Sequence, residues 1–207
     1  MYTYTAVDNK QKQEHIYMKH ESEIFNFFNS KFPFNQDGLI EFANSFVTKT
    51  YKKGAILSWT DEHVNSLRFL KEGTVREYFA KDDKEMNTNF FVKPQFITDF
   101  YSLTKLTPTK KNQECLTDVV IKEMSLETFN AFLFKYECGK QFVDEIFKEL
   151  IERKENEEFK HFILTPDELY LDLLQNKPEW FQSIPLRHIA TYLRMTPETL
   201  SRIRKRN

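Results

Sequence analysis

The pattern of apolar and polar positions changes character several times along the chain. Met1 to about His20 is polar and aperiodic, which predicts a loosely docked leader. From Glu21 to Ser45, the residues Ile24, Phe27, Phe28, Leu39, Ile40 and Phe42 predict short helices, broken at Phe32-Pro33-Phe34. Between Phe46 and Ser125 the segments FVTKTY, AILSW, SLRFL, TVREYFA, NTNFFV and DVVIKEM recur between polar turns. Short runs rich in β-branched and aromatic residues predict an antiparallel sandwich or roll rather than alternating βαβ units. Gly54 and Gly73 fall at turns between these runs, where glycine takes a positive φ without penalty. Lys81-Asp82-Asp83-Lys84 predicts a third turn.

Helical periodicity returns from Ser125 to His161, where Phe142, Ile146, Phe147, Leu150 and Ile151 make an apolar stripe. A long helix with one sticky face between two domains predicts a dimerisation helix; the same stripe could instead cover the β-domain. Thr165-Pro166-Asp167-Glu168 then caps a further helix through Leu174, and Pro178-Glu179-Trp180-Phe181 leads into the last segment.

That segment, IPLRHIATYLRMTPETLSRIRKR, reads as two short amphipathic helices joined by a tight polar turn. Leu186, Ile189, Ala190 and Leu193 share one face of the first, and small Ala190 suits a close helix crossing. Arg194-Met195-Thr196 interrupts it. Thr196 is a natural N-cap, Pro197 fits the first helical position, and Glu198 favours the positive end of the helix. Leu200 and Ile203 point inward from this second helix, and Arg202, Lys205 and Arg206 outward. The arrangement is the pattern of a helix-turn-helix whose second helix enters the major groove of DNA.

Charge sharpens that reading. From Ile184 to Asn207 the chain carries Arg187, Arg194, Arg202, Arg204, Lys205 and Arg206 against Glu198 alone, a net +5, so the remainder must be −6 to give the overall −1. A basic helical tip on an acidic body fits phosphate contact better than a merely solvated tail. Composition excludes other classes. With 40% hydrophobic and 29% charged residues the chain is globular, and 21 Phe against 4 Gly predict an aromatic core. No apolar run is long enough to cross a membrane. Cys115 and Cys138 lack metal-like spacing and are expected as reduced, buried thiols in a cytoplasmic protein. No nucleophile elbow, phosphate loop or zinc-spaced cluster is present, and Asp61-Glu62-His63 reads as a solvated turn, so no enzyme is expected.

Three fragments in order, YKKGAILSWTDEHVNSLRFLKEGTVREYF, ELYLDLLQNKPEWF and IPLRHIATYLRMTPETLSRIRKR, resemble the Crp/Fnr family of bacterial transcriptional regulators over nearly all of residues 21–207. The resemblance implies an α+β fold. Its parts are an N-terminal cyclic-nucleotide-binding-like β-roll with flanking helices (1–136), a long dimerisation helix (137–161) and a C-terminal winged helix-turn-helix (162–207). It implies a homodimer on double-stranded DNA, RNA polymerase as a further partner, and a small-molecule effector of unknown identity. Matched motif to motif, Glu198 and Arg202 fall on base-reading positions, with Thr196 and Thr199 beside the backbone and Arg204, Lys205 and Arg206 as phosphate neutralisers. Pro197 stands where well-known members carry Arg. The wing is expected within residues 165–184.

The effector pocket departs from the family. Members that bind cyclic nucleotides place a Gly-Glu pair and later an Arg-Ser or Arg-Thr pair around the ribose and phosphate. Here Thr98-Asp99, followed by Phe100, stands at the first pair and Thr109-Lys110 at the second, with Lys111 as another point charge. No guanidinium fork is offered to a phosphate. cAMP is therefore not expected to bind in the family's usual way. No cysteine precedes Cys115, so an iron–sulphur cluster is not expected, and scattered His15, His20 and His63 do not suggest haem. The leading reading is a sequence-specific DNA-binding regulator; the other is a ligand- or protein-binding module on the same fold that has lost specific DNA binding.

Overall fold

A computed structural model describes residues 24–25, 36–137 and 139–206. The polar leader, Phe27 and Phe28, the break at residues 32–34 and Cys138 lie outside the described residues. The described elements run α1 (Gln36–Asn44), β1 (Val47–Tyr51), β2 (Ile56–Ser58), β3 (Ser66–Glu72), β4 (Val75–Lys81), β5 (Lys84–Phe91), β6 (Gln95–Phe96), α2 (Phe100–Lys105), β7 (Asn112–Cys115) and β8 (Val119–Ser125). Helices α3 (Leu126–Lys135), α4 (Gly139–Ile163), α5 (Pro166–Asn176), α6 (Pro178–Ser183), α7 (Leu186–Tyr192) and α8 (Pro197–Arg206) complete it.

The strands form two four-stranded antiparallel sheets, β1-β8-β3-β6 and β2-β7-β4-β5. Side chains alternate across each strand, so every strand serves two environments. On β3, Leu67 and Phe69 face the helices while Leu70 turns into the roll beside Ile121, its partner on β8. Leu57, Leu70, Val75, Phe91, Ile97, Cys115, Val119 and Ile121 fill the space between the sheets. A second, aromatic cluster joins Phe42, Phe46, Phe69, Phe96, Phe100, Phe129 and Phe132 on the helical side. The turns behave as their residues dictate: Gly54 has φ 84° and Gly73 φ 95°, and Asp82 takes φ 53° between paired Lys81 and Lys84.

The helical region divides. Ser125 caps α3 by accepting from the Thr128 amide, and the chain breaks before α4 near Glu137, which takes φ 51°. The stripe on α4 divides as well. Ile146 is buried in the aromatic cluster, Val143 and Leu150 pack partly against it, and Phe147 stacks at 6.1 Å from Tyr101, whereas Ile151 is 58% exposed. Ile146 is thereby withdrawn from any surface a partner could touch; the Phe142 side chain lies outside the described residues.

The C-terminal module has its own core of Tyr170, Leu173, Trp180, Ile184, Ile189, Ala190, Leu193, Leu200 and Ile203. Thr165 and Glu168 form a reciprocal capping box on α5, and Pro178 opens α6. The expected wing is therefore corrected. Residues 165–184, where it was placed, hold two helices because both start signals are satisfied there, and no strand occurs among the described residues beyond β8. One β-roll residue, Phe90 on β5, is buried in this module's core, so the two halves share a boundary.

Candidate functional site

Helices α7 and α8 are separated by residues 193–196, with Arg194 in the left-handed region at φ 56°. The Thr196 hydroxyl accepts from the Thr199 amide at 3.2 Å and so caps α8. Leu200 and Ile203 are buried and anchor the helix, which leaves Glu198, Ser201, Arg202, Arg204, Lys205 and Arg206 exposed on the other side. Hydrogen bonds from its own backbone amide and from the Thr196 hydroxyl hold the Glu198 carboxyl below its ordinary range, helped by nearby Arg202. Glu198 thus stands as an ionised acceptor one turn before the exposed Arg202 guanidinium. Arg206 differs from its neighbours: its guanidinium already grips both oxygens of Asp167 at 2.7 and 2.8 Å.

The module is clasped to the β-roll through α7. Arg76 on β4 reaches Glu85 and Glu114 at 2.6 Å each and lies 3.3 Å from His188 Nδ1. Burial, followed by the nearby Arg76 and Arg187 charges, pushes the His188 imidazole down to about 4, so it stays neutral beside the guanidinium. Asn87 on β5 donates to the Thr191 hydroxyl at 2.7 Å and to the His188 carbonyl at 3.3 Å. Phe90 completes the clasp, edge-on to Trp180 at 4.8 Å. None of these residues was singled out from the sequence, because each partner is remote along the chain and ordinary in type.

The residues expected around an effector are brought together, but they bond to one another. Asp99 caps α2, accepting from the Ser102 hydroxyl at 2.9 Å and from the Thr109 hydroxyl at 2.7 Å. Thr98 turns its hydroxyl to the Arg68 backbone amide at 2.7 Å. Phe100 packs into the aromatic cluster, and Lys110 is exposed outside the pocket. Lys111 is the pocket's lysine. It pairs with Glu77 at 3.0 Å, and although burial opposes its charge, Glu77 and Asp99 outweigh that and hold the ammonium firmly protonated. Glu77 also accepts from Thr88 at 2.9 Å and Gln113 at 3.3 Å. Inside the roll Arg68 is spent on Glu123 at 2.9 Å. Only about 10 Å³ remains between Ser58, Ser66, Arg68, Asp99 and Lys111, room for about one water. A larger cavity of about 320 Å³ lies outside it, floored by Phe91, Phe96 and Phe100 and walled by Glu149 and Arg153 of α4.

Among the described residues no group of three or more His, Cys, Asp or Glu side chains could hold a metal ion, and no helix is long and apolar enough to cross a membrane. No protein-family model matches the sequence, and no curated protein is significantly similar to it. Solved structures do share its fold. FixK2 from Bradyrhizobium japonicum aligns with a TM-score of 0.66 at 15% identity, over 78% of this chain and 83% of that one. The c-di-GMP-responsive global regulator CLP of Xanthomonas campestris aligns at 0.63 and 15%, over 83% and 91%. A putative cAMP-binding regulatory protein from Silicibacter pomeroyi DSS-3 aligns at 0.63 and 18%, over 91% and 87%. The chain therefore has the fold of the Crp/Fnr regulators that its sequence resembles.

Proposed function

We propose that the protein is a homodimeric, sequence-specific DNA-binding regulator of the Crp/Fnr type whose β-roll does not take cyclic nucleotides in the usual way. The observation that carries the DNA-reading half is α8: a capped, basic helix with its apolar face buried and Glu198, Ser201 and Arg202 exposed together. Glu can accept from cytosine N4 and Arg can pair bidentately with guanine, while Arg204 and Lys205 neutralise phosphates. Arg206 contributes to DNA only by leaving Asp167. Phe159, Phe162 and Ile163 join Ile151 as exposed apolar residues on α4 and supply the contact for a second copy, which gives two α8 helices a two-fold relation. RNA polymerase is a further partner of such a regulator. The self-satisfied Asp99–Thr109 and Lys111–Glu77 pairs support the other half, since a cyclic phosphate entering the small pocket would meet a lysine already paired with Glu77 and an arginine already paired with Glu123.

Selection of bound sequences from a random double-stranded DNA library tests the reading. A two-fold-symmetric motif with half-sites about one helical turn apart, lost in Arg202→Ala, is expected. Sequence-blind binding that the substitution leaves unchanged refutes it. For the pocket, micromolar cAMP binding abolished by Asp99→Ala would reverse the second claim.

A further inference from the structure

A second cavity lies away from the β-roll, between α4 and the C-terminal module. It measures about 420 Å³ and is lined by Glu152, Arg153, Asn156, Glu157 and Lys160 of α4, and across from them by Asp172, Asn176, Lys177 and Tyr192. That volume suits a small ligand rather than a bound water or two.

Its charges are unevenly settled. Lys160 and Asp172 neutralise each other at 2.7 Å. The Tyr192 hydroxyl donates to Glu157 at 3.3 Å. Lys177 has no such counter-ion. Its ammonium sits 4.1 Å above the Trp180 ring and 5.9 Å from that of Tyr192, with no carboxylate in ion-pair range among the described residues. Burial lowers its affinity for a proton; Glu157 opposes this and nearby Arg153 and Lys160 add to it. An aromatic face offsets only part of the cost of a desolvated cation. Arg153, exposed on the rim, also has no ion pair among the described residues. The α4 wall supplies the opposite sign, with Glu152 and Glu157. The crevice thus brings cations outside any ion pair among the described residues and carboxylates to one space, and a ligand carrying one charge of either sign would satisfy only half of it.

We propose that this crevice binds a small zwitterion of amino-acid size, its carboxylate on Lys177 and Arg153 and its ammonium on Glu157 and Glu152. An apolar side chain of the ligand would lie toward Leu169, Leu173 and Leu193, which complete the lining. The site stands independently of whether α8 reads DNA, and of any ligand in the β-roll.

The test uses the full chain with Trp59→Phe, so that Trp180, beside Lys177, is the sole tryptophan reporter. Each proteinogenic amino acid is titrated by calorimetry and by Trp180 emission. At least one is expected to bind with Kd below about 1 mM. Its N-acetyl and carboxamide derivatives, each lacking one charge, should both bind at least about tenfold more weakly. Lys177→Met keeps the stem over Trp180 and removes the charge, and should weaken binding by a similar factor; Glu152→Gln, on the exposed wall, should weaken it without any risk to the core. Arg202→Ala, on the opposite role of the module, should leave affinity unchanged. The proposal is overturned if no amino acid binds, if blocking either charge has no effect, or if binding ignores Lys177→Met and Glu152→Gln.

Discussion

Phe90→Ala is the substitution that asks most directly how the two halves of the molecule are joined. The ring is 2% exposed, edge-on to Trp180 at 4.8 Å and 6.0 Å from Tyr192, and it is the buried residue that the β-roll contributes to the C-terminal core. Truncating a buried Phe costs about 3–5 kcal/mol, combining lost transfer energy with an unfilled cavity. The polar part of the clasp, Asn87 on Thr191 and Arg76 on His188, survives the change, and hydrogen bonds of this kind contribute about 1 kcal/mol each. The largest single contribution holding the C-terminal module against β5 therefore resides in one ring. Urea unfolding followed by Trp180 emission in a Trp59→Phe background, and in parallel by far-ultraviolet circular dichroism, reads the consequence. The parent should give coincident transitions. In Phe90→Ala the Trp180 transition should move to lower urea and separate from the dichroism transition, as the module loosens before the roll. Coincident curves displaced by less than about 1 kcal/mol would show that the ring does not join the halves.

Other expectations follow from equally local features. Gly73→Ala should destabilise the roll by at least about 2 kcal/mol, measurable in the same denaturation assay, because φ is 95° and a Cβ would strike the Asp118 carbonyl and come within 2.8 Å of Val119 Cγ1. Acid should erode stability in two successive windows. His188 is held near 4 against 6.5 in the unfolded chain, so its contribution is present above pH 6.5 and is lost as the pH falls toward 4, about 3 kcal/mol in all. Burial alone would raise Glu123, but Lys49, Ser66 and Arg68 outweigh it and bring it from 4.5 to about 2, so a similar contribution is lost between those values. Stability measured against pH should lose the upper slope in His188→Gln and the lower one in Glu123→Gln. Cys115, fully buried with its thiol pushed up to about 11 by burial and nearby carboxylates, should resist iodoacetamide at neutral pH until the chain is unfolded, as read by peptide mapping.

The parts of the fold legible in the sequence are those where a local pattern and the tertiary environment agree. Six of the strands fall on the short runs rich in β-branched, aromatic and other apolar residues, and the caps at Thr165 and Thr196 announce helices that form. Strand β7 escapes notice because Asn112, Gln113 and Glu114 are polar for a reason visible only in three dimensions: they bond to the Thr60 amide, to Glu77 and to Arg76. Helix α2 is hidden by the same residue that suggested a ligand contact, since Asp99 is spent as its N-cap. The candidate DNA-reading face was legible because helical spacing alone puts its residues together. The clasp and the crevice were not, because Arg76 meets His188, and Lys177 faces Arg153, across spans that no local pattern encodes.

Strand β4 gives the molecule an unusually short internal distance. Consecutive side chains on a strand point to opposite faces, so Glu77 turns into the roll toward Lys111 and Gln113 while its neighbour Arg76 turns out to Glu114 and His188. The interior of the roll and the shoulder of the C-terminal module are thus back to back across a single peptide unit. No chain of intermediaries separates them: a roll that repositioned Glu77 would have to carry Arg76, and its grip on His188, along with it.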